Sequence, residues 1–228
     1  MQKLGTNYGG WVIPKQIQLT KDSLIYSVGV GEDISFDLLV QDKYNSNIVL
    51  IDPTKRAKKH YEEIKKYYKT HIYNFSGDIQ KDYEDNIKNL NIDFSKITYN
   101  EIGVWDEKTE LKFYKQINKN YVSQSLINGM FTNEYDIVKV DTLKNIMKKN
   151  NHTKIDLLKM DIEGAEIKVL NNMLDDNIFP EYLCIEFDLY LKGKDRTGET
   201  NRIVKKLLSL NYKILANDNM NITFKQFK

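Results

Sequence analysis

The 228-residue chain is poor in the features that mark whole classes of protein. Its one cysteine, Cys184, cannot close an internal disulfide. That excludes a disulfide-stapled secreted scaffold and points to a reducing compartment. The three prolines stand at segment edges, and no Pro/Gly-rich linker or repeat divides the chain. No stretch approaches the ~20 consecutive apolar residues of a membrane span. The first residues also lack the apolar core of a secretory signal. Arginine is scarce: Arg56, Arg196 and Arg202 are the whole set. Nucleic-acid binders are usually richer in it, because guanidinium reads phosphates and guanines bidentately. With 34 basic against 32 acidic residues, the net charge is only +2. The expectation is a soluble cytoplasmic protein whose partner is neither nucleic acid nor a membrane.

What the chain does have is ordinary globular composition, 41% hydrophobic and 29% charged. At this length a core can bury roughly 70% of the unfolded surface without a metal or disulfide staple. Short, fully apolar runs read as buried strands: 23–28 (SLIYSV), 47–51 (NIVLI), 155–160 (IDLLKM) and 182–187 (YLCIEF). Residues 97–102 make another, 111–114 an added hairpin strand, and 212–215 with 222–224 a closing pair. Helical spacing lies between them. In 55–69, Ala57, Tyr61, Ile64 and Tyr68 form an apolar face and the lysines a solvated one. Alternation with fully apolar strands predicts an α/β fold, a mostly parallel sheet covered on both faces. Residues 1–22 are expected to be an appendage packed on one domain over 23–228.

In such a sheet, ligands bind outside the carboxyl ends of the strands. Gly29, Gly31 and Asp33 follow the first strand, and Asp52 ends the second. Glu101, Ile102 and Gly103 end the third, Asp161, Glu163 and Gly164 follow the 155–160 strand, and Glu186 and Asp188 finish the next. Glycines there let backbone approach a ligand closely. Asp52, twenty-one residues after Gly31, stands where a carboxylate accepts bonds from a ribose diol. The third glycine of a dinucleotide fingerprint is missing, since Ile34 occupies its place. That disfavours a pyrophosphate clamp, and S-adenosylmethionine, which has a ribose and no phosphate, fits better. A nicotinamide-dependent oxidoreductase is the rival enzyme, weakened by the same missing glycine. A non-catalytic module retaining the cofactor fold is the third reading.

Three blocks then resemble the FkbM-type methyltransferases: 26–37 (YSVGVGEDISFD), 51–54 (IDPT) and 159–166 (KMDIEGAE). Residues 7–11 (NYGGW) and 123–126 (SQSL) are similar to members of that family as well. The likeness spans about 5–190, and no signature matches beyond about Lys192. It implies a class I methyltransferase fold, Rossmann-like with a closing antiparallel strand. It also implies S-adenosylmethionine as methyl donor and a hydroxyl of a saccharide or other metabolite as acceptor, a small molecule or glycan. Carried over, Gly29 and Gly31 border the methionine and ribose, with Asp33 nearby. Asp52 holds the ribose, Glu101, Ile102 and Gly103 flank the adenine, and Tyr8 and Gly9 fold over the cofactor. Asp161 stands near sulfonium and acceptor, with Glu163 beside it.

An alcohol acceptor must lose a proton. His60, His71 and His152 read as surface residues, which leaves a carboxylate as base: Asp161 first, then Glu163 and Glu186. Glu163 reads equally as a first-turn residue satisfying helix amides, and Glu166 as a capping partner. Glu186 lies on an apolar strand, where an unpaired charge is costly. Asp161, Glu186 and Asp188 are also the oxygen set a hard ion such as Mg2+ takes. No histidine joins them and no known metal spacing appears, so no metal is assigned. Cys184 reads as inert core, and Trp11 and Trp105 as cofactor covers or ordinary packing.

Overall fold

The computed structural model describes residues 1–116, 124–125, 131–191 and 193–227. Along the chain come β1 (Gln2–Leu4), β2 (Trp11–Ile13), β3 (Leu24–Val28), α1 (Ser35–Tyr44), β4 (Asn47–Ile51) and α2 (Lys55–Thr70). Next are α3 (Tyr83–Ile87), β5 (Ile97–Asn100), β6 (Gly103–Val104), β7 (Thr109–Gln116), β8 (Gln124–Ser125), β9 (Phe131–Asp141) and α4 (Leu143–Lys149). The last third holds β10 (Leu157–Met160), α5 (Glu166–Asp175), β11 (Tyr182–Glu186), β12 (Tyr190–Leu191), β13 (Lys194–Asp195), α6 (Thr197–Ser209), β14 (Tyr212–Asp218) and β15 (Asn221–Gln226).

The main sheet has seven strands in the order β14-β15-β11-β10-β3-β4-β5. Every neighbouring pair is parallel except those made by β15, which runs against both β11 and β14. This is the class I methyltransferase arrangement expected from the motifs. The chain winds outward from β3 through β4 to β5, then returns to place β10 against β3's other edge. Strand order therefore reverses between β3 and β10, where a crevice opens.

The strands are apolar on both faces because both faces are covered. Tyr26, Val28, Val49, Ile51, Leu158 and Leu183 point into a core with α4, α5 and α6. Ile25, Ile48, Leu50, Leu157 and Cys184 point into another with α1, α2 and α3. Helix α2 shows how the local sequence sets an element. Thr54 caps it by accepting from the Ala57 N–H, and Ala57, His60, Tyr61, Ile64 and Tyr67 recur at helical spacing on the buried face. The N-terminal segment closes the second core with Trp11, Ile13, Ile17 and Leu19. Thr223 Oγ1 donates to the Val12 carbonyl at 2.6 Å and pins it to β15.

The expected hairpin is part of a larger second sheet. Strand β7 pairs antiparallel with β9 and with β8, and β6 pairs parallel with β9. Gln124 and Ser125 of the 123–126 motif lie in β8, and its other two positions fall outside the described residues. Histidine is also placed differently from expectation. His60 is 1% exposed, its Nε2 2.8 Å from the Tyr83 hydroxyl, and burial pushes its pKa down to about 4. Among the described residues no helix is long and apolar enough to cross a membrane.

Candidate functional site

Neighbouring backbone ties the parallel strand ends together. The Gly29 N–H donates to Ile51 O (2.9 Å), Asp52 N–H to Asn100 O (3.2 Å) and Asp161 N–H to Val28 O (3.0 Å). A cavity of about 640 Å³ opens above these ends. Its apolar wall includes Val28, Ile51, Pro53, Val104 and Phe113, and its polar groups include Asp52, Lys159 and Asp161. That volume and mixture suit a nucleoside-sized ligand.

Asp52 is 5% exposed, and its carboxylate is held from two sides. Oδ1 accepts from the Thr54 N–H (2.8 Å) and hydroxyl (2.6 Å), while Oδ2 accepts from the Gly31 N–H at 3.0 Å. Each oxygen has about two lone pairs, so Oδ2 keeps acceptor capacity toward the cavity. Burial raises the Asp52 pKa, opposed by these same bonds. A ribose hydroxyl fits a fixed acceptor of this kind.

At two cavity-lining positions the protein's own packing demands glycine. Gly29 has φ +75°, and a Cβ there would fall 1.7 Å from the Asp161 carbonyl oxygen. The close approach to the Asp161 turn by itself demands glycine here. Gly9 is likewise packed on the Asp33 carboxyl, 2.6 Å from where its Cβ would be. Asp33 itself serves as a tether. Its Oδ2 accepts from the Thr6 hydroxyl (2.5 Å) and its Oδ1 from the Ser35 N–H and hydroxyl. Thr6 Oγ1 in turn accepts from the Gly9 N–H at 2.9 Å. This chain of bonds sets Tyr8 and Gly9 at the cavity wall.

Across the crevice, Asp161, Ile162 and Glu163 form the opposite wall. Glu163 has φ +53°, a left-handed conformation uncommon for a side-chain-bearing residue. The turn is held from below by Glu166, whose Oε1 accepts from the Ile162 (3.1 Å) and Gly164 (2.9 Å) N–H groups. The amide-satisfying role therefore belongs to Glu166, and Glu163 lies before α5 begins. Arg196 adds a clamp by donating from Nη1 to the Gly164 carbonyl at 2.8 Å.

The carboxylates here raise one another. Burial lifts Asp161 above the ordinary range, while the Lys159 ammonium and a hydrogen bond with Glu186 pull it back. Glu186 is pushed up to about 9 by burial, then by the charges of Asp161 and Asp188. Of the two, Glu186 is the group that keeps its proton at neutral pH. Asp188 rises to about 6 by burial and by Asp161, against Arg196. Among the described residues no group of three or more His, Cys, Asp or Glu could hold a metal ion.

Of the residues expected at the site, Tyr8, Gly9, Gly29, Gly31, Asp33, Asp52, Gly103, Asp161 and Glu163 line the cavity. Three do not. Glu101 turns outward to a surface ion pair with Lys58. Ile102 packs against the α4–α6 core, and Glu186 stands behind Asp161. Trp11 is 3% exposed core, so it is packing and not a cofactor cover. Lys159, Phe113, Asp78 and Gln80 line the cavity unforeseen. Lys159 had a signal, a charge inside an apolar strand. The other three had none. Phe113 arrives from the second sheet, and Asp78 is brought in by its N–H bond to Glu32, which also holds Arg56.

A search of curated proteins finds no match. Solved structures similar to this chain include fibrillarin in a fibrillarin/Nop5p complex, at TM-score 0.45 and 11% identity over 92% of this chain and 75% of that one. Another is M. capricolum TrmK with S-adenosylhomocysteine, at TM-score 0.43 and 11% identity over 92% of this chain and 65% of that one. The family model for the methyltransferase FkbM domain matches residues 7–214, the crevice and all its strand ends included. The chain belongs to the FkbM methyltransferase family.

Proposed function

We propose that this protein transfers a methyl group from S-adenosylmethionine to a hydroxyl of a saccharide or related hydroxylated metabolite. The observation that carries the reading is the pairing of two buried carboxylates in one crevice: Asp52, fixed by the Gly31 and Thr54 N–H groups, and Asp161 on the turn after β10. Bound there, the cofactor supplies a methyl on a positively charged sulfur. The chain's main contribution is alignment, for which roughly 7–11 kcal/mol is available from positioning alone. Asp161 accepts the acceptor's hydroxyl proton, an effect of about 10²–10⁴-fold. Glu186, carrying a proton, donates to Asp161 and orients it, and the Lys159 ammonium favours its ionised form. The apolar wall of Val28, Ile51 and Val104 excludes water from the reacting groups.

Asp161→Asn keeps the shape and removes the charge. With a base in that position, methyl transfer to a panel of hydroxylated saccharides falls about 10²–10⁴-fold, with S-adenosylhomocysteine affinity little changed. A carboxylate that only attracts the sulfonium would instead weaken S-adenosylmethionine more than S-adenosylhomocysteine. Normal turnover with both affinities unchanged would remove Asp161 from the chemistry.

A further inference from the structure

A second cavity, of about 510 Å³, lies on the far side of the turn that carries Asp161 and Glu163. It is a groove between α5 and α6, and its composition departs from that of the chain. Two of the protein's three arginines, Arg196 and Arg202, line it together with Lys168 and Lys206. Glu199 is the one carboxylate among its described lining residues. Helical spacing explains the gathering: Glu199, Arg202, Ile203 and Lys206 recur along one face of α6.

Three of the cations have counterions: Lys168 with Asp106 (3.1 Å), the mostly buried Arg196 with Glu199 (3.0 Å) and Lys206 with Asp175 (3.3 Å). The Lys168 and Lys206 pairs are largely solvent-exposed, and exposed pairs contribute little to stability. Arg202 is exposed and has no hydrogen-bond or ion-pair partner among the described residues. Trp105 lines the same groove, with Lys168 Nζ 4.3 Å from its ring centroid, and gives an aromatic surface beside the cations. Through Arg196 Nη1 on the Gly164 carbonyl, the groove is fastened to the turn that presents Asp161.

We propose that this groove anchors a tetrahedral oxyanion, a phosphate ester, carried by the acceptor, with Arg202, Lys206 and Lys168 as its ligands and Trp105 against the sugar ring. The substrate class is then a phosphorylated saccharide, held by its charged end on one side of the Asp161 turn while a hydroxyl reaches the other. The assignment as an acceptor anchor rests on the methyltransferase reading; the anion site itself stands on the groove.

Calorimetry separates the two. The wild-type chain and the double variant Arg202→Glu with Lys206→Glu are titrated with glucose 6-phosphate, glucose, inorganic phosphate and, separately, S-adenosylhomocysteine, with melting temperatures recorded. Expected is glucose 6-phosphate binding that weakens at least about tenfold in the variant, since charge-assisted contacts are lost. Glucose does not bind, inorganic phosphate binds more weakly than the sugar phosphate, and S-adenosylhomocysteine affinity is unchanged. Absence of glucose 6-phosphate binding, or equal binding by a variant that melts normally, overturns the proposal. Inorganic phosphate binding as tightly as the sugar phosphate overturns the acceptor anchor. Failure of S-adenosylhomocysteine to bind wild type strikes the methyltransferase reading and leaves the anion site standing.

Discussion

Individual buried charges decide how the Asp161 turn responds to pH, and Glu166 is the clearest case. It is 1% exposed, Oε1 holds two backbone N–H groups, and Oε2 has no partner. Burial first, then the Asp188 charge, lift its pKa from 4.5 to about 8. Between those values the folded protein keeps a proton that the unfolded chain has released. Its contribution to stability is fully present below 4.5 and is lost as pH rises through about 8. A glutamine in its place would still accept both N–H bonds without titrating. Relative to Glu166→Gln, the wild type should therefore lose about 1.4 kcal/mol of stability per pH unit across that window. Urea unfolding of both proteins at pH 5 and pH 8 measures this, and parallel pH profiles would show that Glu166 ionises normally. Burial of Asp37 and His60 runs against side-chain type: Asp37 lies among Phe36, Leu38 and Val40, and His60 falls on the same face of α2 as Ala57 and Ile64, so their positions mark them as inward while their polarity marks them as exposed. Asp52 was legible because a carboxylate at a strand end, at a fixed distance from a glycine turn, is itself a pattern.

At the scale of elements, the N-terminal segment is latched rather than merely laid on. Thr6 is fully buried, and its hydroxyl joins Asp33 to the Gly9 N–H. Thr6→Val keeps the volume and leaves Asp33 Oδ2 without that bond, at a cost of about 1–3 kcal/mol. The expected result is a lower melting temperature together with faster amide exchange over residues 5–10, read by hydrogen–deuterium exchange. Unchanged exchange there would show that the segment is held by Trp11 and Ile13 alone. The strands of the main sheet were readable because runs such as NIVLI and YLCIEF are apolar throughout, as two covered faces require. The second sheet was seen only in part. Residues Thr109–Gln116 and Phe131–Asp141 mix polar and apolar residues without strict alternation, and exposed Tyr135 and Ile137 blur which face is buried. Phe113, which that sheet delivers to the cavity, was lost with it.

For the molecule as a whole, function follows from where strand order reverses. The outward winding β3-β4-β5 and the return to β10 put Gly31, Asp52 and Asp161 around one opening, although they are far apart in sequence. No local pattern encodes that reversal; it was reached through the family resemblance and is visible directly in the pairing of β10 with β3. The central claim is that this opening is the S-adenosylmethionine site with Asp52 as the ribose acceptor. Calorimetric titration of S-adenosylhomocysteine into wild type and Asp52→Ala tests it most directly. A hydrogen bond to a charged group contributes about 1.5–3 kcal/mol, so the variant should bind at least about tenfold more weakly while remaining folded. Equal affinity in a folded Asp52→Ala protein, or no binding by wild type, would contradict the account.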